Sequence, residues 1–259
     1  MENDVMIHYH GTPITPISEL YSLAGRNFCV SHASPDQIKK VHEIGQSVLI
    51  DNGAFSKWKT GKKTNWSKYY DFCAKWLDYK TTWAIIPDEI EGDENTNKSL
   101  VTQWPLNTWQ AAPVWHLHES LSYLRWLCDR FVKVCFGSSG QYSQPGTQAW
   151  HERIIEAFEL ISDSNGKMHN HIHMLRGMQF CESLYPFASV DSTDVARNHN
   201  RPQNTALKLV KRWDQFQCPA IFNESAIRDF YKLRDKRQKT FFDLRGKYER
   251  RVSKMVKRI

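Results

Sequence analysis

Three carboxylates stand at the ends of short apolar runs in this sequence. Asp51, Asp88 and Asp191 each come directly after such a run. If the runs are strands whose ends meet, the three groups raise one another's pKa, which calls for a functional explanation. Taken singly, residues 51–53 also fit a turn and Asp88 a helix cap.

The elements that must position these groups repeat along the chain. Short apolar runs rich in β-branched residues alternate with helix-length segments. Eight repeats of this kind predict a (β/α)₈ TIM barrel, an α/β fold whose active site lies at the carboxyl ends of the strands. The predicted strands are 5–10, 27–31, 47–51, 82–87, 112–117, 132–136, 171–175 and 187–191. The predicted helices are 34–45, which begins at Ser34-Pro35-Asp36, and 66–79, 100–109, 120–131 and 147–163.

The composition excludes several classes of protein. The 259 residues are 41% hydrophobic, which argues against a disordered chain. The sequence holds no apolar run of about 18 residues, as a membrane-spanning helix would need. Six cysteines form no Cys-x-x-Cys pair, so we predict neither a disulfide framework nor a structural zinc site, and we assign no metal ligands. The first residues do not resemble a secretion signal, and the cytoplasm is the expected location.

The net charge of +7 is concentrated near the C-terminus. Residues 226–259 hold thirteen Lys and Arg against four Asp and Glu, with aromatic and aliphatic residues at roughly helical intervals. A solvated basic helix has this pattern, and so does a nucleic-acid contact, which the coincidence of charge and aromatics favours. We therefore predict a TIM-barrel catalytic domain at 1–205. A helical, strongly basic C-terminal extension at 206–259 is predicted to pack on the barrel.

Five segments together resemble motifs of the tRNA-guanine transglycosylase family, and they follow the family's order along the chain. The segments are 51–55, 87–89, 136–140, 173–177 and 190–193. In this order they resemble the family's Asp-Ser-Gly-Gly-aromatic motif, its Asp-Glu strand end, its Gly-rich loop, its Leu-Met-Gly strand end and the segment that bears its nucleophilic Asp.

Two departures from the family point to one of its branches. The sequence lacks the zinc-binding cysteines of the bacterial tRNA enzymes, and it is shorter than they are. With residues 9–13, it is most similar to the DNA-modifying, DpdA-like 7-deazaguanine transglycosylases of phages and genomic islands. The resemblance implies exchange of guanine in DNA for a 7-deazaguanine base such as 7-cyano-7-deazaguanine, without a cofactor. The guanosine would be flipped out or already single-stranded.

The resemblance also implies a set of partners and a setting. DNA and the 7-deazaguanine base are the substrates, and no membrane is involved. Candidate further partners are a second copy of the chain, as a homodimer, or an accessory DNA-modification protein. A phage-encoded enzyme of this type would work in the host cytoplasm.

The same resemblance implies roles for individual residues. Asp191 is the nucleophile that forms a covalent Asp-deoxyribosyl intermediate, Asp51 is the general acid and base, and Asp194 is the alternative nucleophile. The expected base-binding residues are Phe55, which stacks on the base, and Asp88, His116, Gly137, Ser138 and Met174. Independently of the resemblance, the basic residues just after Asp191 and in the basic extension are the expected nucleic-acid-binding residues, namely Arg197, Arg201, Lys232, Arg234, Lys236 and Arg237.

Other functions remain open from the sequence. One is the same base exchange on tRNA. Another is a metal-dependent hydrolase of the amidohydrolase type, because His8 and His10 are separated by one residue and point to the same side of a strand. His116 or His118, together with Asp191, would complete its ligand set. A nucleic-acid-binding barrel without catalysis is a third, although three carboxylates would repel phosphate.

Overall fold

The strands form a nearly closed parallel barrel. The computed structural model describes residues 6–61, 65–180 and 184–232. Within these residues, nine strands pair in the order β5-β4-β3-β2-β1-β9-β8-β7-β6, and every pair is parallel. They are β1 (Ile7–Gly11), β2 (Asn27–Ser31), β3 (Ser47–Asp51), β4 (Thr82–Ile85), β5 (Ala111–Ala112), β6 (Val114–His116), β7 (Lys133–Gly137), β8 (His171–Met174) and β9 (Ser189–Ser192).

Nine strands arise from eight predicted ones because Pro113 divides the fifth. Proline has no backbone N–H and interrupts the ladder of hydrogen bonds. Ala111–Ala112 pairs with β4 on one side, whereas Val114–His116 pairs with β7 on the other. The Pro113 carbonyl still accepts a hydrogen bond from Cys135 N–H at 2.9 Å. The two pieces therefore bring both edges of the sheet together, and the predicted TIM-barrel fold is confirmed.

Helices follow most of the strands, as the alternation in the sequence predicts. They are α1 (Ile17–Tyr21), α2 (Ile38–Ile44), α3 (Ala54–Thr60), α4 (Ser67–Trp76), α5 (Glu94–Thr102), α6 (Leu121–Cys128), α7 (Gln148–Ile161), α8 (Asp194–Asn198) and α9 (Ala206–Trp213). The longest of these, α7, buries one face that includes Trp150, Ile154 and Phe158. No helix of the described residues is long and apolar enough to cross a membrane.

Two predicted helix boundaries are wrong. The helix expected at 100–109 spans Glu94–Thr102, because Asp93 caps its start by accepting a hydrogen bond from Thr96 N–H at 2.7 Å. Pro105 cannot continue a helix and disfavours helical backbone in the residue before it. The start expected at Ser34 lies at Ile38, after Gln37. The Gln37 side chain makes two hydrogen bonds to the backbone of Ile14 rather than a cap.

The inside of the barrel holds an apolar cluster, and polar residues lie next to it toward the mouth. A buried cluster takes one or two residues from most strands, and its members are Tyr9, Cys29, Leu49, Trp83, Ile85, Ala112, Val114 and Cys135. Alternate residues of a strand face the same side. The next inward positions toward the carboxyl ends are therefore Asp51 after Leu49, His116 after Val114, and Gly137 after Cys135. The sequence alternation thus delivers the polar residues to the barrel mouth.

The chain divides into two compact units. The first ends at Phe222 and contains the barrel together with α9, and the second begins at Asn223. Of the second unit, the structure describes a helical stretch at 224–232. The predicted boundary at residue 205 stays a prediction. The predicted nucleic-acid-binding residues Arg234, Lys236 and Arg237 lie outside the described residues, as does half of the predicted basic extension.

Candidate active site

Asp51 lies at the carboxyl end of β3, inside the barrel mouth. Burial is the main cause that raises the pKa of its carboxyl group, and the charges of Asp191 and Asp88 raise it further. Hydrogen bonds from Ser31 and from the Gly53 backbone oppose this shift without cancelling it. The chain can turn directly after Asp51 because Gly53 adopts a φ of 76°, a left-handed conformation that glycine accepts without strain. Asp51 is therefore suited to hold and release a proton.

The amide of Asn52 links the ends of β3 and β4. It is buried, and its Nδ2 donates to the Ile86 carbonyl at 2.9 Å and to Asp88 Oδ1 at 2.7 Å. Its Oδ1 accepts a hydrogen bond from Ala54 N–H at 2.7 Å, which begins α3. These bonds hold Asp88 at the same strand ends as Asp51. Asn52, to which the sequence assigns no role, therefore positions two of the predicted site residues.

Asp88 and His116 form a buried pair. His116 Nε2 lies 2.9 Å from Asp88 Oδ2, and both residues are buried. Burial alone would lower the pKa of His116, but the hydrogen bond and charge of Asp88 and the charge of Glu119 together raise it. Glu119 Oε2 accepts a hydrogen bond from His116 N–H at 2.7 Å and so fixes the strand end. Asp88 therefore has a titratable histidine as a partner in addition to Asn52.

Removing the Asp88 carboxylate should destabilise the fold. We expect Asp88→Ala to lower the free energy of unfolding by about 3–5 kcal/mol at pH 6, because it leaves a buried charge without its partner. The pKa of His116 is raised by folding, so the pair stabilises the fold fully below the ordinary histidine pKa of about 6.5. This stabilisation is lost as the pH rises through the raised pKa.

The measurement is urea unfolding of the variant and of Asp71→Ala at several pH values. Asp71 is exposed on α4, so the control should change stability by no more than about 0.5 kcal/mol. An Asp88→Ala variant as stable as this control would show that the pair does not stabilise the fold.

Asp191 is held by two hydrogen-bond donors at the end of β9. Its Oδ1 accepts Arg176 N–H at 2.6 Å and lies 3.3 Å from His173 Nε2. The imidazole of His173 is oriented from its other nitrogen, because Nδ1 lies 2.7 Å from Ser189 Oγ. In the part of the chain that the structure describes, no donor contacts Asp191 Oδ2. One oxygen is thus anchored, and the other remains available for attack.

Phe55 and Arg176 stack at the edge of the site. The guanidinium carbon of Arg176 lies 3.3 Å from the centroid of the Phe55 ring, which is 38% exposed. Burial lowers the pKa of Arg176, while the charges of Asp191 and Asp51 oppose this shift. Arg176 has a φ of 55°, a conformation that costs about 1–3 kcal/mol for a non-glycine residue and is found mainly at functional sites. The ring expected to stack on a base therefore has a cation on one face.

The other predicted base-binding residues differ in whether they face the barrel mouth or support packing. Gly137 faces inward, and a β-carbon there would lie 3.1 Å from His116 Nδ1, so the position requires a small residue. Ser138 Oγ accepts a hydrogen bond from Trp150 Nε1 at 2.9 Å, which ties its side chain to α7. Met174 is buried at the end of β8. His116 and Gly137 share one layer of the barrel mouth, whereas the Ser138 side chain supports packing.

Asp194, the alternative nucleophile, is bound by its neighbours. Its Oδ1 accepts a hydrogen bond from Asn198 Nδ2 at 2.6 Å. Its Oδ2 accepts from Trp213 Nε1 at 2.9 Å and from Arg212 Nη2 at 3.3 Å. Only Oδ2 thus joins α8 to α9, but both oxygens have donors, and Asp191 has the freer carboxylate.

The predicted nucleic-acid-binding residues that the structure describes lie in two places. Arg197 and Arg201 line an open cleft of about 440 Å³ beside α8. Lys232 lies in the exposed helical stretch at 224–232, where its Nζ is 3.7 Å from Asp229 Oδ1. Only the two arginines therefore belong to the unit that holds the three carboxylates.

The histidine ligand set of the hydrolase alternative does not assemble. Tyr9 belongs to the inner cluster, so His8 and His10 on either side of it face the surrounding helices. Burial lowers the pKa of His10 to about 3. Within residues 6–61, 65–180 and 184–232, no group of three or more His, Cys, Asp or Glu side chains is arranged to hold a metal ion. The prediction of an H-x-H ligand pair at the barrel mouth is thus wrong.

The fold and the site assign this chain to a broad structural class, but comparison with known proteins finds no relative. The chain is a TIM-barrel-like α/β protein with three carboxylates at the carboxyl ends of its strands. It matches no protein-family model, no curated protein and no solved structure. The geometry of the site is therefore the guide to its chemistry.

Proposed function

We propose that this protein is a transglycosylase that replaces guanine in DNA with a 7-deazaguanine base such as 7-cyano-7-deazaguanine. One observation carries the proposal: the barrel mouth holds two unlike carboxyl groups. The pKa of Asp51 is raised by burial and by its acidic neighbours, which favours a proton donor. Asp191 is anchored through one oxygen, which favours a nucleophile. This division of roles is what retaining cleavage of a glycosidic bond requires.

In the first step, Asp191 displaces guanine. Asp191 Oδ2 forms a bond to C1′ of the deoxyribose while the C1′–N9 bond breaks. The electron pair of that bond stays with guanine, which takes the proton of Asp51. The products are a deoxyribosyl ester of Asp191, an ionised Asp51 and free guanine.

In the second step, the incoming base takes the place of guanine. The 7-deazaguanine gives its N9 proton to Asp51, and N9 forms a bond to C1′. The ester bond breaks, and its electron pair returns to Asp191. Two displacements keep the configuration at C1′, and both carboxyl groups regain their starting states. No cofactor or oxidant enters the balance.

The remaining groups serve to position the base. Each oxygen of Asp88 accepts one hydrogen bond from the protein and keeps capacity for another, so Asp88 can accept from the N–H edge of guanine. The Arg176 and Phe55 stack lies beside both catalytic carboxyl groups and offers planar surfaces to a purine. A base inside a duplex cannot reach this mouth, so the nucleotide is flipped out at a cost of a few kcal/mol or is already single-stranded.

Nucleoside mass spectrometry tests the proposal. The purified protein is incubated with 7-cyano-7-deazaguanine and either DNA or tRNA. The nucleic acid is then digested to nucleosides, whose masses are measured. We expect the modified deoxynucleoside from DNA with the wild-type protein and not with Asp191→Asn. Modification confined to tRNA would favour the RNA-modifying alternative, and no exchange in either substrate would overturn the proposal.

A further inference from the structure

We infer that α8 and α9 bind the phosphates of the DNA strand whose nucleotide enters the barrel mouth. The surface consists of five exposed cations, Arg197, Arg201, Lys208, Lys211 and Arg212, and is named the α8–α9 basic surface. The inference rests on the proposed function for the identity of the strand. The clefts and charges of the two helices indicate phosphate binding, and their place in the chain after Asp191 indicates which phosphates they bind.

The first cleft begins where the catalytic strand ends. Ser192 and Thr193 come directly after Asp191 and line this cleft of about 440 Å³ together with Arg197 and Arg201. This volume is larger than a single phosphate group and lies within the range of small-molecule binding sites. In the described part of the chain, neither arginine forms an ion pair. The hydroxyl groups of the two residues that follow the proposed nucleophile thus share this cleft with two guanidinium groups.

The second cleft lies along α9. It is lined by Lys208, Lys211 and Arg212, and its volume is also about 440 Å³. These residues are spaced i, i+3 and i+4, so they share one face of the helix. The opposite face buries Ala206, Leu209 and Val210. Packing therefore fixes the helix and turns its three cations to solvent.

A hydrogen-bonded link joins the two clefts. Arg212 lines the second cleft and donates to Asp194, which lines the first. Asp194 is the acidic residue of the first cleft, and Arg212, Trp213 and Asn198 all donate to it. Its charge is therefore already neutralised. The two clefts are therefore connected, and the first of them is lined by the two residues that follow Asp191.

A polyanion with regularly spaced charges fits this surface. Lysine and arginine contacts to phosphate give affinity without reading sequence, and they hold a strand in register. A transglycosylase needs such contacts, because they offset the cost of removing the base from its stack. The position of the surface next to Asp191 places the phosphates flanking the target nucleotide on Arg197 and Arg201. The next phosphates along the strand lie on α9.

The test measures binding to a fluorescent single-stranded 12-nucleotide DNA over a range of salt concentrations. The variants are Arg197→Ala/Arg201→Ala and Lys208→Ala/Lys211→Ala. Lys68→Ala/Lys80→Ala is the control, which removes the same charge from exposed positions in and after α4. For single strands, log K falls with log salt by about 0.7 per phosphate contact, so each test variant should lower the slope by about 1.4. We expect each to weaken binding at least 10-fold, and the control to leave both quantities unchanged.

Further readouts separate the outcomes. Arg197→Lys/Arg201→Lys should keep the wild-type salt slope, which shows that charge and not folding is responsible. Equal slopes for test and control variants would overturn the inference even if base exchange is confirmed. Tighter binding of an RNA of the same sequence, with the same loss in the variants, would overturn the assignment to DNA. Absence of base exchange together with the predicted slopes would remove the proposed function and leave the phosphate surface.

Discussion

Asp191→Asn should abolish base exchange, with kcat/KM falling about 10⁴–10⁶-fold, as when a nucleophile is removed from a covalent catalytic set. The amide oxygen of asparagine can still accept Arg176 N–H, so the strand end should keep its geometry. The amide cannot form the ester to C1′, and the first displacement fails. The measurement is incorporation of isotopically labelled guanine into DNA, which reports exchange without the need for a modified base.

Asp194→Asn is the matched control for this prediction. It makes the same chemical change three residues further along, at a carboxylate held by Asn198, Arg212 and Trp213. We expect its kcat/KM to stay within about 10-fold of wild type, because this carboxylate is occupied by donors of the fold and the asparagine oxygen can still accept from them. An active Asp191→Asn variant together with an inactive Asp194→Asn variant would move the nucleophile to Asp194.

Asp51→Asn should lower kcat about 10²–10⁴-fold, the usual contribution of a general acid or base. Wild-type exchange should decline as the pH rises through the raised pKa of Asp51, because the first step needs its proton. Residual exchange by the variant should lack this decline. The measurement is the pH profile of labelled-guanine exchange. A variant that keeps the alkaline decline of the wild type would show that another group supplies the proton.

The same substitution should stabilise the protein. The pKa of Asp51 is raised by folding, so the wild type loses stability as the pH rises from the unfolded value of about 3.9 through the raised value. Asparagine is neutral and does not bring this loss. Asp51→Asn should thus be more stable than wild type at neutral pH, with a gap that closes toward pH 3, as urea unfolding would show. A variant less stable at pH 7 would contradict the raised pKa.

The strands of the barrel could be predicted from the sequence because parallel strands are buried on both faces. Such strands are continuous apolar runs, and their ends are visible as the first polar residue. Division of one strand at Pro113 depends on which neighbour each half pairs with, which no local pattern contains. The helix at Glu94–Thr102 could have been found from Asp93 and Pro105, whose capping and helix-breaking roles are local.

The three carboxylates of the candidate site could also be predicted from the sequence, but their hydrogen-bond partners could not. Asp51, Asp88 and Asp191 end apolar runs, so their meeting at the barrel mouth follows from the fold. The roles of His173 and Arg176 depend on how β8 and its loop approach Asp191 and Phe55, which is a tertiary relation. The spacing of Lys208, Lys211 and Arg212 is present in the sequence, but only the fold shows that the three side chains share an exposed face beside α8.

Trapping the covalent intermediate tests the division of roles between the two carboxyl groups most directly. Wild-type protein is mixed with a short single-stranded guanine-containing DNA, quenched in acid without an incoming base, digested and analysed by peptide mass spectrometry. We predict that the peptide containing Asp191 carries a DNA adduct through the deoxyribose. We predict no such adduct in Asp191→Asn. An adduct on a peptide without Asp191, or exchange by the wild type with no adduct at any residue, would contradict it.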